Sequence, residues 1–200
     1  MMQIILATNN QHKVSELSDI FAQLRLPISL ISQKEWFNGN SPEIEETGLT
    51  LEENALLKAR ALHAMTGMPV IADDTGLEIT ALNNAPGVFS ARFAGEHGND
   101  SANRHKVLTL MHDNKDRTAR FRTILYFLDE SVSFACEGSC TGHIALEESG
   151  IHGFGYDAIF IPDGHIQTFA DMESSIKQSM SHRAKACIQL GESLSRYINP

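Results

Sequence analysis

The sequence predicts an α/β protein with a mixed β-sheet flanked by helices. Three observations carry that expectation. Short apolar runs alternate with helical periodicity over the first half of the chain, two strand-like runs follow one another across a polar turn in the second half, and an amphipathic helix closes the chain. No long linker, repeat or low-complexity block interrupts residues 1–200, so they read as a single domain.

Residues 3–7 (Gln-Ile-Ile-Leu-Ala) suit a buried strand, and Val14, Leu17, Ile20, Phe21 and Leu24 then recur at helical spacing until Pro27 stops the helix. A short strand over 28–31 leads into a polar loop with Trp36 and the acidic cluster Glu43, Glu45 and Glu46. Thr50 and Glu53 form a capping-box pattern for a helix with Ala55, Ala59 and Leu62 on one face, closed by Gly67 and Pro69. The strand "PVIA" follows, ending in Asp73-Asp74-Thr75-Gly76. After the loop "APGVFSARFAG", a helix is predicted over 101–111 with Val107, Leu108 and Met111 buried. "RTARFRTILYFLD" and "SVSFACEG" read as antiparallel neighbours joined by Asp129-Glu130-Ser131, "TGHIALE" extends that sheet, and "DAIFIP" is a further strand. The last helix starts near "SHRAK" and carries Cys187, Leu190, Gly191, Leu194 and Ile198 on one face.

The formal net charge of −9 argues against a nucleic-acid coat, which needs clustered Lys and Arg. No apolar run approaches the ~20 residues that cross a bilayer, and the start lacks the basic-then-apolar pattern of a signal peptide, so a soluble cytoplasmic protein without membrane partners is expected. Cys136, Cys140 and Cys187 show no zinc-ligand spacing and read as reduced thiols.

Three stretches carry chemistry. Thr8-Asn9-Asn10-Gln11-His12-Lys13 lies between strand and helix, where unpaired N–H groups attract phosphate and Lys13 adds a compact positive charge. The segment lacks the glycines of a P-loop, and taken alone it reads more readily as an ordinary helix cap with a solvated lysine. Asp73-Asp74 stands where open α/β sheets place their ligands. Successive strand residues face opposite ways, so one carboxylate is expected to serve as a magnesium ligand or general base while the other braces a loop; Glu45, with Glu46 beside it, is the best second carboxylate. An acidic turn is the alternative. In "GFGYDAIF", a ring between glycines can lie against a purine, and Ser181-His182-Arg183 at a helix start can supply edge donors. Turn chemistry and capping explain each of these stretches taken alone.

In order and separation, "ILATNNQHKVSEL", "EETGLTLEENALLKA", "IADDTGLEI", "APGVFSARFAG", "GFGYDAIF" and "SHRAKA" together resemble the inosine triphosphate pyrophosphatases, also called dITP/XTP pyrophosphatases, over nearly the whole chain. The resemblance implies an elongated mixed sheet with two lobes around a deep central cleft, a homodimer, and Mg2+-dependent hydrolysis of deaminated purine nucleoside triphosphates to monophosphate and pyrophosphate. It assigns Thr8, Asn9, Asn10, Gln11, His12 and Lys13 to the triphosphate, Glu45 and Asp74 to the metal, and Asp74 also to water activation. Thr75, Phe154, Gly155, Tyr156, Asp157, Lys177, His182 and Arg183 fall to the substrate, the last three completing the base pocket. Asn9 stands where the family commonly has glycine, and Ala158 where proline is usual. A carbonyl at C6 of hypoxanthine or xanthine can accept from these donors, whereas the amine of adenine cannot. A hydrolase for other modified nucleotides and a catalytically silent nucleotide-binding module remain the alternatives.

Overall fold

Alternation along the first strand explains how two cores form around one segment. The computed structural model describes residues 2–198. In β1 (Met2–Ala7), Ile4 and Leu6 point to one face and Ile5 and Ala7 to the other, and all four are buried. Covering both faces requires helices on both, and parallel pairing of β1 with β2 (Ile28–Ser32) and with β3 (Val70–Ile79) requires crossovers between the strands. Helix α1 (Gln11–Gln23) makes the first crossover; α2 (Gln33–Trp36) and α3 (Leu51–Thr66) lie in the second. The registers Ile4↔Leu30 and Leu6↔Ile71 fix the arrangement.

The chain divides into two compact units. The first comprises residues 1–74, 123–138 and 183–200. Its larger core joins Ile4, Leu6 and Ile71 to Leu17, Ile20 and Phe21 of α1 and to Cys187, Leu190 and Leu194 of α6 (His182–Ile198). Its smaller core sets Ile5, Ala7, Val70 and Ala72 against Ala59 and Leu62 of α3.

The second unit comprises residues 75–122 and 139–182. It takes the end of β3, β4 (Ala85–Pro86), α4 (Asp100–Leu110), the start of β5 (Thr118–Leu128), the end of β6 (Ser133–Ile144), β7 (Phe160–Pro162) and α5 (Ser174–Met180). Its core is aromatic: Phe121 meets Phe160 edge-on at 4.7 Å between centroids, and Phe160 lies 5.2 Å from Phe169. Strand pairing here is antiparallel, β3 with β4 and β6 with β7. Along the sheet the strand order is β2-β1-β3-β5-β6-β7, with β4 on β3.

Most expected elements form. The capping box of α3 is complete, with Thr50 Oγ1 accepting from the Glu53 N–H and the Glu53 carboxylate accepting from the Thr50 N–H. Two expectations change. The strand does not end at the acidic pair, and the alternative of an acidic turn falls with it, because β3 continues through Asp73 and Asp74 to Ile79, where Leu77 and Ile79 resume the buried pattern. "SVSFACEG" and "TGHIALE" belong to one strand, β6. The short helices α2 and α5 have too few turns to produce a readable period.

Candidate active site

In the first unit, the chain leaves β1 at Ala7 and is capped at once. Asn10 Oδ1 accepts from the N–H groups of His12 (3.0 Å) and Lys13 (3.3 Å), while Thr8 Oγ1 accepts from the Asn10 N–H at 3.2 Å. The stretch is therefore a true helix cap, and two of its first-turn donors are already engaged. Its lysine is not solvated: Lys13 Nζ is ion-paired with Asp73. Asn9 is absent from the residues with positive φ, so this loop asks of it no glycine-like backbone.

Asp73 and Asp74 are adjacent and both buried, yet their environments differ in kind. Asp73 pairs with Lys13 and with Arg183 Nε at 3.2 Å. Burial would push its carboxyl up, but Lys13 and Arg183 outweigh burial and hold it well below the usual carboxylate range. Arg183 is itself only 2% exposed and also pairs with Glu16 of α1. Asp74 faces one close cation, Lys58, whose Nζ lies 3.6 Å away. Burial, reinforced by Glu46 and Asp73, pushes Asp74 up against the pull of Lys58 and Lys13. Lys58 Nζ donates to Glu46 Oε1 at 2.6 Å and to the Asp73 carbonyl at 2.7 Å. Its carboxylate neighbours outweigh burial and raise its pKa, so it stays charged. Two neighbouring carboxyls driven in opposite directions are suited to different tasks, one holding cations in place and one taking a proton.

Three cations (Lys13, Lys58, Arg183) thus meet four carboxylates (Glu16, Glu46, Asp73, Asp74) in this unit. Glu45, the nominated second metal ligand, is exposed, while Glu46 beside it is engaged by Lys58. Among the described residues no group of three or more His, Cys, Asp and Glu side chains converges as a metal cage. Mg2+ does not ask for one, since one or two carboxylates plus substrate phosphates and water suffice, and the oxygen donors here fit that chemistry.

In the second unit, Asp157 organises the glycine-rich segment. Its Oδ2 accepts from the Phe154 N–H at 2.9 Å and from Lys177 Nζ at 2.8 Å. Gly153 has φ +75°, and a Cβ there would run into the Asp157 carboxylate, so both backbone and space require glycine. Lys177 is 7% exposed, with its ammonium 5.3 Å from the Phe154 ring centroid and 5.7 Å from that of Phe169. Tyr156 lies in the aromatic core and donates its hydroxyl to the Ser90 carbonyl at 2.8 Å, so its ring serves packing. His182 is buried and stacks on Phe121 with centroids 4.6 Å apart. Thr75 opens this unit, half-buried in β3.

Sequence reasoning left out Glu16, Lys58 and the ion-pairing part of Asp73. A signal existed for Lys58. Leu51, Asn54, Ala55, Lys58, Ala59 and Leu62 share the buried face of α3, and a lysine and an asparagine within such a stripe must have partners. Asn54 Oδ1 accepts from the Gly48 N–H at 2.8 Å. Glu16 stands one turn beyond Lys13 on α1, and only the tertiary fold could reveal its pairing with Arg183.

A model of the Ham1 family matches residues 4–193. The chain is 46% identical to the dITP/XTP pyrophosphatase of Haemophilus influenzae over 189 residues, covering 92% of this chain and 94% of that one. It is 45% identical to the dITP/XTP pyrophosphatase of Oceanobacillus iheyensis, with 95% and 96% covered. Among solved structures, a HAM1 protein from Coxiella burnetii superposes with a TM-score of 0.88 at 40% identity, covering 98% of this chain and all of that one. The Staphylococcus aureus Ham1 protein gives a TM-score of 0.86 at 36% identity, with 98% and 99% covered.

Proposed function

The chain belongs to the Ham1 family, and from that premise we propose that it hydrolyses deaminated purine nucleoside triphosphates (ITP, dITP and XTP) to the monophosphate and pyrophosphate. The observation that carries the proposal is the opposed pair Asp73 and Asp74. A carboxyl raised above its ordinary range is the stronger base of the two, which assigns water activation to Asp74. Asp73 keeps Lys13 and Arg183 in place, and Lys13 offsets charge on the triphosphate as the bond from the α-phosphorus to pyrophosphate breaks. Thr8, Asn9, Asn10, Gln11 and His12 complete the grip on the phosphates through backbone and side-chain donors.

Four carboxylates against three cations repel a polyanion. Asp74 and Glu45 would hold a divalent cation, whose charge would offset that repulsion, which supports the assignment of Mg2+ as cofactor. When bound, Mg2+ supplies charge neutralisation and orients phosphate oxygens.

The second unit handles the nucleoside. Phe154 offers a ring face to the purine, and the backbone of Gly155, Tyr156 and Asp157, with Thr75, completes the surround. Lys177 and His182 of this unit are assigned to the base, as the family resemblance also assigns Arg183 of the first unit; donors satisfy a C6 carbonyl and meet the adenine amine donor to donor, at ~1–3 kcal/mol per unpaired buried group. The same proposal carries a homodimer and residence in the cytoplasm. The homodimer rests on the family resemblance alone, and residence in the cytoplasm on the sequence pattern, alongside the finding that no described helix is long and apolar enough to cross a membrane.

The test is product analysis with Mg2+ and ITP, XTP, GTP or ATP. Pyrophosphate from ITP and XTP, with little from ATP and GTP, is expected; orthophosphate as the first product, or equal rates on all four, contradicts the proposal.

A further inference from the structure

Helix α4 carries two charged side chains, neither of them nominated by the motif pattern, that close on a single residue of the nucleoside segment. Asp100 Oδ2 accepts from the Gly155 N–H at 2.7 Å, and Arg104 Nη1 donates to the Gly155 carbonyl at 2.9 Å. The two residues are four apart on one helix face, the spacing that lets a carboxylate and a guanidinium act on the same object. Arg104 is steadied in turn by Glu148, whose Oε2 lies 2.9 Å from its Nε. Gly155 needs such fixing, because at φ +60° a glycine has many other conformations open to it. On either side the chain is already held: Phe154 N–H by Asp157, Tyr156 hydroxyl by the Ser90 carbonyl. Gly155 is the joint between them, and its N–H and carbonyl are both held from α4.

We propose that Asp100 and Arg104 are positioning residues for the nucleoside: by holding both polar groups of Gly155 they fix the tilt of the Phe154 ring on which the purine lies. This rests on the assignment of Phe154–Asp157 to the nucleoside. The pair acts through Gly155 and touches no reacting atom, so its loss weakens binding of the base and leaves the bond-breaking step alone. The charges are chosen for the task. A charged partner on each side makes charge-assisted hydrogen bonds, about twice as strong as neutral ones.

The experiment compares D100A, D100N and R104A with the wild-type protein in steady-state hydrolysis of ITP, in inhibition by inorganic tripolyphosphate, and in hydrogen exchange over residues 153–157 without substrate. D100A and R104A are each expected to raise KM for ITP about tenfold with kcat within about twofold, the pattern of lost binding rather than lost transition-state stabilisation. Tripolyphosphate carries no base, and its inhibition constant stays unchanged. D100N keeps an oxygen that accepts from the Gly155 N–H and stays within about threefold of wild type in KM. Exchange over 153–157 accelerates about tenfold in D100A. Unchanged KM or unchanged exchange in D100A overturns the proposal. Equal loss of ITP and tripolyphosphate binding also overturns it, because that is general loosening. If the wild-type protein releases no pyrophosphate from ITP, the assignment of function falls, and the exchange measurement by itself decides the clamp on Gly155.

Discussion

The two compact units hold their charges in opposite ways. In the first, Lys58 is shared between Glu46 and Asp74, Arg183 is shared between Glu16 and Asp73, and Lys13 pairs with Asp73, which also holds Arg183, so a bound anion can compete for one of these cations. In the second, Lys177 is paired with Asp157 and walled by Phe154 and Phe169, an arrangement that fixes geometry. With its excess of carboxylates offset, a network of shared charges is suited to a substrate that carries its own charge, as a triphosphate does. A single locked pair among aromatic rings is suited to a neutral, planar base. On the proposed function both kinds of site are needed: phosphate chemistry is common to all nucleoside triphosphates, and discrimination must come from elsewhere.

The comparison breaks most readily at Asp74. If its raised carboxyl takes the proton from water, Asp74→Asn lowers kcat by about 10³-fold with saturating Mg2+, whereas a purely structural role leaves turnover within tenfold. Stability is the next largest effect. Arg183→Met removes one of two cations on buried Asp73 and the partner of Glu16, and should cost about 3 kcal/mol in denaturant unfolding, because a buried carboxylate loses compensation. A loss below about 1 kcal/mol would mean that Lys13 alone suffices for Asp73.

The pH response separates the neighbours by sign. Asp73 is held below its unfolded pKa, so its contribution to stability is present above about pH 4 and is lost as pH falls toward its depressed folded value. Asp74 runs the other way. Its folded pKa is raised, so its proton is favoured by folding and that contribution fades as pH rises through the raised value. Activity requires Asp74 ionised, hence the acid limb of kcat/KM should lie above the ordinary carboxylate range and move when Lys58→Met removes its close cation. The limb should then shift to higher pH, and a limb unaffected by that change would reassign the base. The smallest effect is at Tyr156. Tyr156→Phe leaves the Ser90 carbonyl without its donor and should cost about 1 kcal/mol in unfolding while leaving KM for ITP within about twofold, since that ring belongs to the core.

Much of the scaffold was legible because its signals are local. The α3 capping box, Pro27 and the apolar stripe of α6 each specify an element without help from the rest of the chain. The charge network was not legible, because its pairs span large sequence separations, from Lys13 to Asp73 and from Glu16 to Arg183. The sequence predicts a strand end at Asp73-Asp74, with an acidic turn as the alternative; adjacent carboxylates in a strand are costly, but Lys13, Arg183 and Lys58 offset that cost and β3 continues. Lys177 is nominated by the family resemblance alone, because no local pattern ties it to Asp157, its partner in the core. Gly155 was read as a place for a base, and the sequence held no hint that α4 grips it from behind.

The division of labour between the units is tested most directly by the ratio of kcat/KM for ITP to that for ATP, measured in Lys13→Met and Lys177→Met beside the wild-type protein. Lys13→Met should lower both substrates by about 10²-fold and leave the ratio unchanged, since the phosphates are common to both. Lys177→Met should lower ITP at least about tenfold more than ATP and so collapse the ratio. A ratio that moves with Lys13 and holds with Lys177 would contradict the assignment of phosphate to the first unit and base to the second.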